Sequence, residues 1–259
     1  MINGEVGTLN FLPECRKEDI LNTLFRGLDF SPLLISLRAA TLATVVTFFS
    51  GIAAASFVSA YRGKFKGLID GILTLPLILP PTVVGFLLLL VFGKYGPLGK
   101  LLLAIGTTVI FSWPATVIAA SVVAFPLMYR TVRSAFEQID PSIVYAARTL
   151  GVSEWKIFWK VTIPLAWPGV AAGTVLAFAR ALGDFGATLM IGGNIPGETL
   201  TIPAAIFFAA EGGDMEKALL WVILIFIISL MVMTLMNYWS DYQRKTIAAS
   251  AGNSHGIMR

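Results

Sequence analysis

The chain has 259 residues, of which 56% are hydrophobic and only 13% are charged. Soluble domains are about one quarter charged, so this composition predicts an integral membrane protein. A single cysteine, Cys15, and a single histidine, His255, exclude a disulfide framework and leave almost no ligands for a metal site. The net charge of +4 gives no indication of nucleic-acid binding.

Residues 1–32 contain five acidic side chains and lack the apolar core of a signal peptide. We therefore predict that they form an extracytoplasmic lead-in to the membrane domain. Part of it, Pro13–Leu28, fits either an interfacial amphipathic helix or a plain tether.

Five segments contain the roughly 20 apolar residues that a membrane-spanning helix needs. They predict spans at about 33–61, 68–92, 107–129, 169–192 and 218–239. Residues 198–210 are apolar but too short to cross, and we expect a surface or half-inserted helix there. The predicted architecture is an all-α membrane domain over 33–242, followed by a cytoplasmic tail over 243–259.

The loops between the predicted spans differ in basic residues, and the side richer in Lys and Arg faces the cytoplasm. Of the 19 basic residues, eleven fall on one side: Arg62, Lys64, Lys66, Arg130, Arg133, Arg148, Lys156, Lys160, Arg244, Lys245 and Arg259. Six fall on the other side, and Arg38 and Arg180 lie within spans. This asymmetry predicts an N-terminus outside the cell and a C-terminus inside.

The segment 140–164 is polar and is predicted to be cytoplasmic. Asp140 is placed to cap a helix that begins at Pro141, and Gly151 to follow its last residue in a left-handed conformation. Ser153 is expected to cap a second short helix, which Pro164 would end. The pattern predicts two short helices joined by a tight turn.

The second of these helices carries Trp155, Phe158 and Trp159 at helical spacing, which places them on one apolar stripe. Two interpretations fit this pattern. The aromatic side chains could lie among lipid headgroups, or the hairpin could dock into a cleft of another protein.

The hairpin resembles the cytoplasmic "EAA" loop of the permease subunits of binding-protein-dependent ABC importers. The matching positions are Ala146, Ala147, Gly151 and Pro164, while Tyr145 stands where the family pattern has Glu. The resemblance implies the five-helix type I ABC importer permease fold. It also implies that the hairpin contacts an ATPase subunit, through Tyr145, Ala146, Ala147, Arg148, Gly151, Trp155 and Pro164.

Three further motifs are similar to the molybdate-importer branch of this family: Leu75–Leu89, Phe178–Thr188 and Asn194–Pro203. Sulfate and thiosulfate permeases share the first two more than the third. The resemblance therefore implies import of molybdate, with tungstate not distinguished from it and sulfate or thiosulfate as the alternative. Asp184 stands where the branch commonly has Glu.

The partners follow from the same resemblance. The family assembles two permease copies with two ATPase subunits, which hold ATP and Mg, and with an extracytoplasmic oxyanion-binding protein. No phosphate-binding loop is present in this chain, so we expect no cofactor and no enzymatic activity in this subunit itself. The rival outside this class is a secondary anion transporter, which would leave the hairpin unexplained.

Two groups of residues are candidates for the translocation pathway or gate. Arg180 and Asp184 are four residues apart in the predicted fourth span, near mid-bilayer, where they should neutralise each other. They either only stabilise helix packing or also border the path. Pro80, Pro81 and Thr82 interrupt the second span, and the carbonyl groups freed by the prolines should face the bundle interior.

Overall fold

The computed structural model describes residues 29–255, which form helices and no strand. The predicted lead-in therefore lies almost wholly outside the described residues, as does its candidate interfacial helix. The helices are α1 (Ser31–Ala60), α2 (Lys66–Ile78), α3 (Pro81–Phe92), α4 (Pro97–Ala104), α5 (Trp113–Glu137), α6 (Pro141–Thr149), α7 (Glu154–Ile157), α8 (Ile163–Leu182), α9 (Gly186–Gly192), α10 (Ile202–Glu211) and α11 (Met215–His255). A π-helical turn, Phe158–Thr162, joins α7 to α8.

Four helical segments within the described residues are long and apolar enough to cross a membrane. They are Ser31–Ala60, Trp113–Glu137, Glu154–Leu182 and Met215–Leu235. The pair α2 and α3 passes the same test only when taken together, and the two helices are bent by 112°. The structure thus holds four such helices, or five if the bent pair is one span.

The bend has a local cause at two adjacent prolines. The residue before a proline avoids the helical region, and Leu79, with ψ 142°, is extended. Pro80 is extended as well, with ψ 139°, and Pro81 begins α3 at a position where its missing N–H costs nothing. The span predicted over 68–92 with an interruption at its prolines is therefore a sharply bent pair of helices.

The core is built from α1, α5 and α8, which pack against one another along most of their lengths. Small side chains dominate their contact surfaces, as is typical where helices approach closely in a membrane. The buried alanines are Ala39, Ala40, Ala43 and Ala55 of α1, Ala120 and Ala124 of α5, and Ala166, Ala177 and Ala181 of α8. A second cluster joins α3, α5 and α9 around Val84, Val123 and Ile191.

Glycines set the closest approaches between these helices. A methyl group at Gly51 of α1 would lie 2.7 Å from the Cγ of Met128 in α5. A methyl group at Gly169 of α8 would overlap the Cβ of Ala135 in α5. Gly169, Gly173 and the buried Ala177 form a stripe of small residues along which α8 packs closely against its neighbours.

The remaining boundaries differ from the predicted ones. α5 begins at Trp113 rather than 107 and continues to Glu137 rather than 129, since Arg133 finds carboxylate partners at its C-terminal end. α8 ends at Leu182 rather than 192, because Gly183 leaves the helical conformation and the chain resumes as α9. α11 continues to His255, beyond the predicted end of the fifth span at 239.

The helix ends fall into two groups, which define the two ends of the bundle. The C-terminal ends of α1 and α5 lie with the hairpin, at what we call the hairpin end. The N-terminal ends of α1 and α5 lie at the opposite end, where the Ile202 N–H of α10 donates to Ser36 Oγ at 2.8 Å.

We predict that Gly169→Ala destabilises the protein by about 1–3 kcal/mol, because the added methyl group forces α8 away from α5. The matched control is Gly71→Ala, since a methyl group there meets nothing within 4 Å. Thermal unfolding in detergent should show a lower midpoint for the first variant and an unchanged or higher midpoint for the second. Equal midpoints would contradict the close-packing role of Gly169.

Candidate functional site

The hairpin over 140–164 has the local structure that its sequence predicts for the first helix and the turn. Asp140 Oδ1 accepts a hydrogen bond from the Ser142 N–H at 2.9 Å, which caps α6. That bond holds the pKa of Asp140 below its ordinary value of 3.8. The cap therefore contributes to stability above this value, and its contribution is lost as the pH falls through the lowered pKa.

The turn after α6 depends on Gly151, whose φ is +74°. The Val152 N–H donates to the Ala147 carbonyl at 3.2 Å and the Gly151 N–H to the Arg148 carbonyl at 2.9 Å, as in a Schellman-type ending. This confirms the predicted left-handed position. Ser153 makes no side-chain cap, so that part of the prediction is wrong.

An ion pair closes the hairpin across this turn. Arg148 Nε donates to Glu154 Oε1 at 2.6 Å, and Arg148 Nη2 donates to Glu154 Oε2 at 3.0 Å. Such a bidentate pair fixes orientation as well as distance. The sequence signal for this ion pair is the presence of opposite charges, Arg148 and Glu154, on the two sides of the turn.

Several large apolar side chains are exposed on the hairpin, beside its charged residues, and α6 buries none of its residues. We call this surface the hairpin face; its exposed members are Ile143, Tyr145, Leu150, Val152, Trp155 and Trp159. Leu150 is 81% exposed and Trp155 71% exposed. The predicted stripe is divided, because Phe158 turns inward against Phe136 while Trp155 and Trp159 stay on the surface.

The second helix of the hairpin does not end at Pro164. It passes through the π-helical turn into α8, so that the helical segment is continuous from Glu154 to Leu182. Pro164 cannot donate to the Lys160 carbonyl, and the turn just before it is widened, with the Ile163 N–H donating to the Phe158 carbonyl. The predicted stop is thus wrong, and the hairpin is joined rigidly to a core helix.

A polar network at the hairpin end joins α2 to α5. Tyr129 Oη donates to Asp70 Oδ1 at 2.8 Å, Arg133 Nη1 contacts the same oxygen, and Arg133 Nε donates to Glu137 Oε1 at 2.9 Å. The sequence analysis missed this network. A carboxylate within an apolar helix needs a partner, and Asp70 carried that signal.

The predicted pathway residues Arg180 and Asp184 are paired, but not as two residues of one helix. Arg180 lies in the last turn of α8, and Asp184 lies in the break before α9. Arg180 Nη1 donates to Asp184 Oδ1 at 3.4 Å, whereas the Thr188 N–H and Oγ1–H donate to Asp184 Oδ2 at 2.9 and 2.7 Å. Thr188 is therefore the stronger partner of this fully buried carboxylate.

The depth of this pair also differs from the prediction. Asp184 borders the same small space as Ser36 and Thr116, which lie in the second turn of α1 and the first turn of α5. These positions are near the end of the bundle opposite the hairpin rather than in its middle. The cause is that the helical segment begins at Glu154 rather than at 169, which carries Arg180 to its far end.

The structure brings the proline motif to the same region. Pro81 and Thr82 lie against Gly186, where an added methyl group would be 3.1 Å from Thr82 Cγ2. Pro80 and Thr82 are exposed, however, and α2 and α3 bury few residues. The expectation that this segment faces the interior is therefore wrong for the single subunit, whose bend places it on the surface.

Among the described residues, no group of three His, Cys, Asp or Glu side chains could hold a metal ion. The hairpin offers an apolar face with a fixed shape, which suits protein contact. The Arg180–Asp184 region offers a charge pair at a helix break.

We predict that Asp184→Leu destabilises the protein by about 1–3 kcal/mol more than Arg180→Leu, because it leaves both the Arg180 guanidinium and the Thr188 N–H without an acceptor. The double variant should recover only part of this difference, since Thr188 still lacks its acceptor. Thermal unfolding of the three purified variants provides the comparison. Full recovery in the double variant would assign the whole effect to the ion pair.

The sequence is similar to permease proteins of known transport systems. The sequence profile described as "Binding-protein-dependent transport system inner membrane component" matches residues 47–245. The molybdenum transport system permease protein ModB of Escherichia coli (strain K12) is 43% identical over 82% of this chain and 93% of its own length. ModB of Haemophilus influenzae (strain ATCC 51907 / DSM 11121 / KW20 / Rd) is 45% identical over 70% of this chain and 80% of its own length.

The fold also matches solved structures. A bacterial alginate ABC transporter, crystallised in complex with an alginate pentasaccharide-bound periplasmic protein, superposes with a TM-score of 0.72. Its sequence identity is 20%, and the match covers 86% of this chain and 82% of that chain. The helix order thus forms an ABC importer permease fold, and the chain belongs to the family of inner membrane components of binding-protein-dependent transport systems.

Proposed function

We propose that this chain is the permease subunit of an ATP-driven importer of molybdate or tungstate. The observation that carries the proposal is the identity of 43% and 45% to two molybdenum transport permeases over most of their lengths. The subunit itself provides the path and the coupling surface. The chemistry of ATP hydrolysis belongs to a partner, so the subunit is not an enzyme.

The hairpin face is the proposed contact with the ATPase. Trp, Tyr and Arg are the residue types that contribute most often to binding energy at protein interfaces, and Trp155, Tyr145 and Arg148 lie on or beside this face. A soluble surface rarely leaves this many large apolar side chains exposed together. Such a surface suits contact with a protein or with lipid headgroups, and the resemblance of Ala146, Ala147 and Gly151 to the ATPase-contacting loop of the family favours docking.

The route from the hairpin into the membrane supports coupling. Because α7, the π-helical turn and α8 form one continuous helical segment, a displacement of the hairpin must move α8. α8 ends beside Arg180 and Asp184, at the other end of the bundle. ATP-driven closure of two ATPase subunits would in this way change the packing around the proposed pathway residues.

The full assembly that we propose contains two copies of this chain, two ATPase subunits that hold ATP and Mg, and an extracytoplasmic oxyanion-binding protein. Pro80, Pro81 and Thr82, which are on the surface of the single subunit, would face the second copy or the path between the two copies. The hairpin end would be cytoplasmic, with the C-terminus on the same side and the N-terminus outside.

The direct test of the function is uptake into proteoliposomes that contain the permease, its cognate ATPase and its cognate binding protein. We expect molybdate and tungstate to accumulate in the proteoliposomes only when ATP is present on the side of the membrane that carries the ATPase. Preferential uptake of sulfate or thiosulfate would favour the alternative substrate class. Uptake without the ATPase would favour a secondary transporter.

We predict that Gly151→Val abolishes ATP-driven uptake and weakens retention of the ATPase, while the amount of permease in the membrane stays near normal. A β-branched residue at φ +74° is strained by about 1–2 kcal/mol or more. Relief of that strain should displace Trp155 from the hairpin face. Co-purification of the ATPase with tagged permease, alongside uptake, provides the measurement.

The matched control is Gly106→Val. Gly106 has a similar φ of +76° and equally open surroundings, but lies between α4 and α5, away from the hairpin. It should retain the ATPase like the wild-type protein. If both variants retain the ATPase and transport normally, the hairpin is not the coupling element.

We predict the orientation from the basic-residue asymmetry. In a Cys15→Ser background, Gly213→Cys should react with an impermeant thiol reagent added outside intact cells. Ser250→Cys should react only after the membrane is permeabilised. The reverse pattern of labelling would invert the proposed topology.

A further inference from the structure

Arg38 is an uncompensated charge in a membrane-spanning helix. It lies in the second turn of α1, about 10 Å from the start of the helix. Its exposed neighbours along α1 include Leu34 and Leu42. Within the described part of the chain, Arg38 makes no ion pair and no hydrogen bond. Arg38 is itself exposed and lies near the end of α1, so its guanidinium is accessible to a ligand that is not part of these residues.

Arg38 lines a cavity of about 390 Å³ at the end of the bundle opposite the hairpin. The other lining residues are Ile35, Ser112, Trp113, Gly197 and Glu198. A water molecule in the liquid occupies about 30 Å³, so the cavity has room for a small anion together with part of its hydration shell.

Two further donors on this cavity lack partners among the described residues. One is the indole N–H of Trp113, the first residue of α5, and the other is the backbone N–H of Gly197. Together with the guanidinium of Arg38, they present hydrogen-bond donors from three separate parts of the chain. Glu198 is the one carboxylate on the cavity wall, and it is exposed to solvent.

The loop that carries Gly197 is held in a fixed position beside Arg38. The Ile195 carbonyl accepts hydrogen bonds from the N–H groups of Glu198, Thr199 and Leu200 at 3.0–3.1 Å. Thr199 is fully buried, and its hydroxyl accepts from the Ile195 N–H at 3.0 Å. The loop belongs to the motif Asn194–Pro203, which is anchored to α1 where the Ile202 N–H donates to Ser36 Oγ at 2.8 Å.

We propose that Arg38, Trp113 and Gly197 form a receiving site for a tetrahedral oxyanion at the outward mouth of the subunit. The guanidinium fork matches the oxygen spacing of such anions, and loop N–H groups add neutral donors. Glu198 lies on the same cavity wall without forming an ion pair with Arg38, and its negative charge opposes a bound anion, which keeps binding weak enough for release. The inference rests on the proposed function for the direction of transport and for the identity of the anion.

The test measures equilibrium binding of molybdate and of sulfate to the permease–ATPase complex in nanodiscs, without the binding protein. We expect Arg38→Gln to weaken molybdate binding at least about tenfold, as loss of charge-assisted hydrogen bonds does. Arg38→Lys, which keeps the charge and loses the fork, should fall between, and Trp113→Phe should lose less. The control Lys217→Gln removes a cation that does not line this cavity and should bind like the wild-type protein.

Folding is checked in the same samples. Because Arg38 has no ion-pair partner among the described residues, Arg38→Gln should unfold at the same temperature as the wild-type protein or a higher one. A lower unfolding temperature would mean that Arg38 pairs with a carboxylate of the second copy, which would overturn the proposal. Equal molybdate binding by Arg38→Gln and wild type, or no binding by either, would also overturn it.

A lipid headgroup offers the same phosphate-like chemistry and is separated by the nanodisc composition. The proposal requires the Arg38 effect in pure phosphatidylcholine. An effect seen only as competition with phosphatidylglycerol would assign the site to lipid and overturn the proposal. Failure of the proposed function is distinct, since it would appear as absence of molybdate uptake by wild-type proteoliposomes, whatever Arg38 binds.

Discussion

The close approach of α1, α5 and α8 is the constraint on which the rest of the structure depends. Lipid chains are as apolar as leucine, so helices in a membrane gain little from burying large side chains and associate through close packing. Gly51 and Gly169 allow α5 to contact both neighbours backbone to backbone. The surfaces around them are rich in alanine, with a few large side chains such as Met128 and Tyr129 buried between the helices, so the close packing favours movement of the three helices as a unit. Many other large apolar residues are exposed on the subunit, where they meet lipid or a second copy.

This packing determines what a force at the hairpin can do. α8 is both a member of the core and the continuation of the hairpin through the π-helical turn. Widened turns of this kind are common at functional positions in helices. A push on Trp155 and its neighbours therefore reaches the core at Gly169 and the helix break at Gly183. The position of α9 relative to α8 can change at the break more easily than the core can. At the break no continuous helix joins the two elements, and the side-chain bonds of Asp184 to Arg180 and Thr188 hold them together.

The sequence predicted the features that depend on local signals. Asp140, Pro141 and Gly151 specify a cap and a left-handed turn without help from distant residues, and both are present. The features that it did not predict depend on contacts far along the chain or on competing local effects. Pro164 was expected to stop a helix, yet it is tolerated near the start of α8 because a π-helical turn absorbs its missing hydrogen bond. The 112° bend at Pro80 could be foreseen as an interruption but not as an angle, since packing of α3 against α9 fixes its direction.

The charges within the helices separate into two kinds. Two ion pairs form within the chain, and each joins two helical elements. Asp70 pairs with Arg133, and Asp184 pairs with Arg180. The paired arginines bind a passing anion poorly, because the positive charge of each guanidinium is already neutralised by its carboxylate partner. Arg38 is different, since it lines an open cavity and forms no ion pair with any described residue. This separation suits an importer. The paired charges hold the helices that move with the hairpin together during the transport cycle, and Arg38 stays available for the substrate. Its place at the end opposite the hairpin then separates the site that receives the anion from the site that receives the energy.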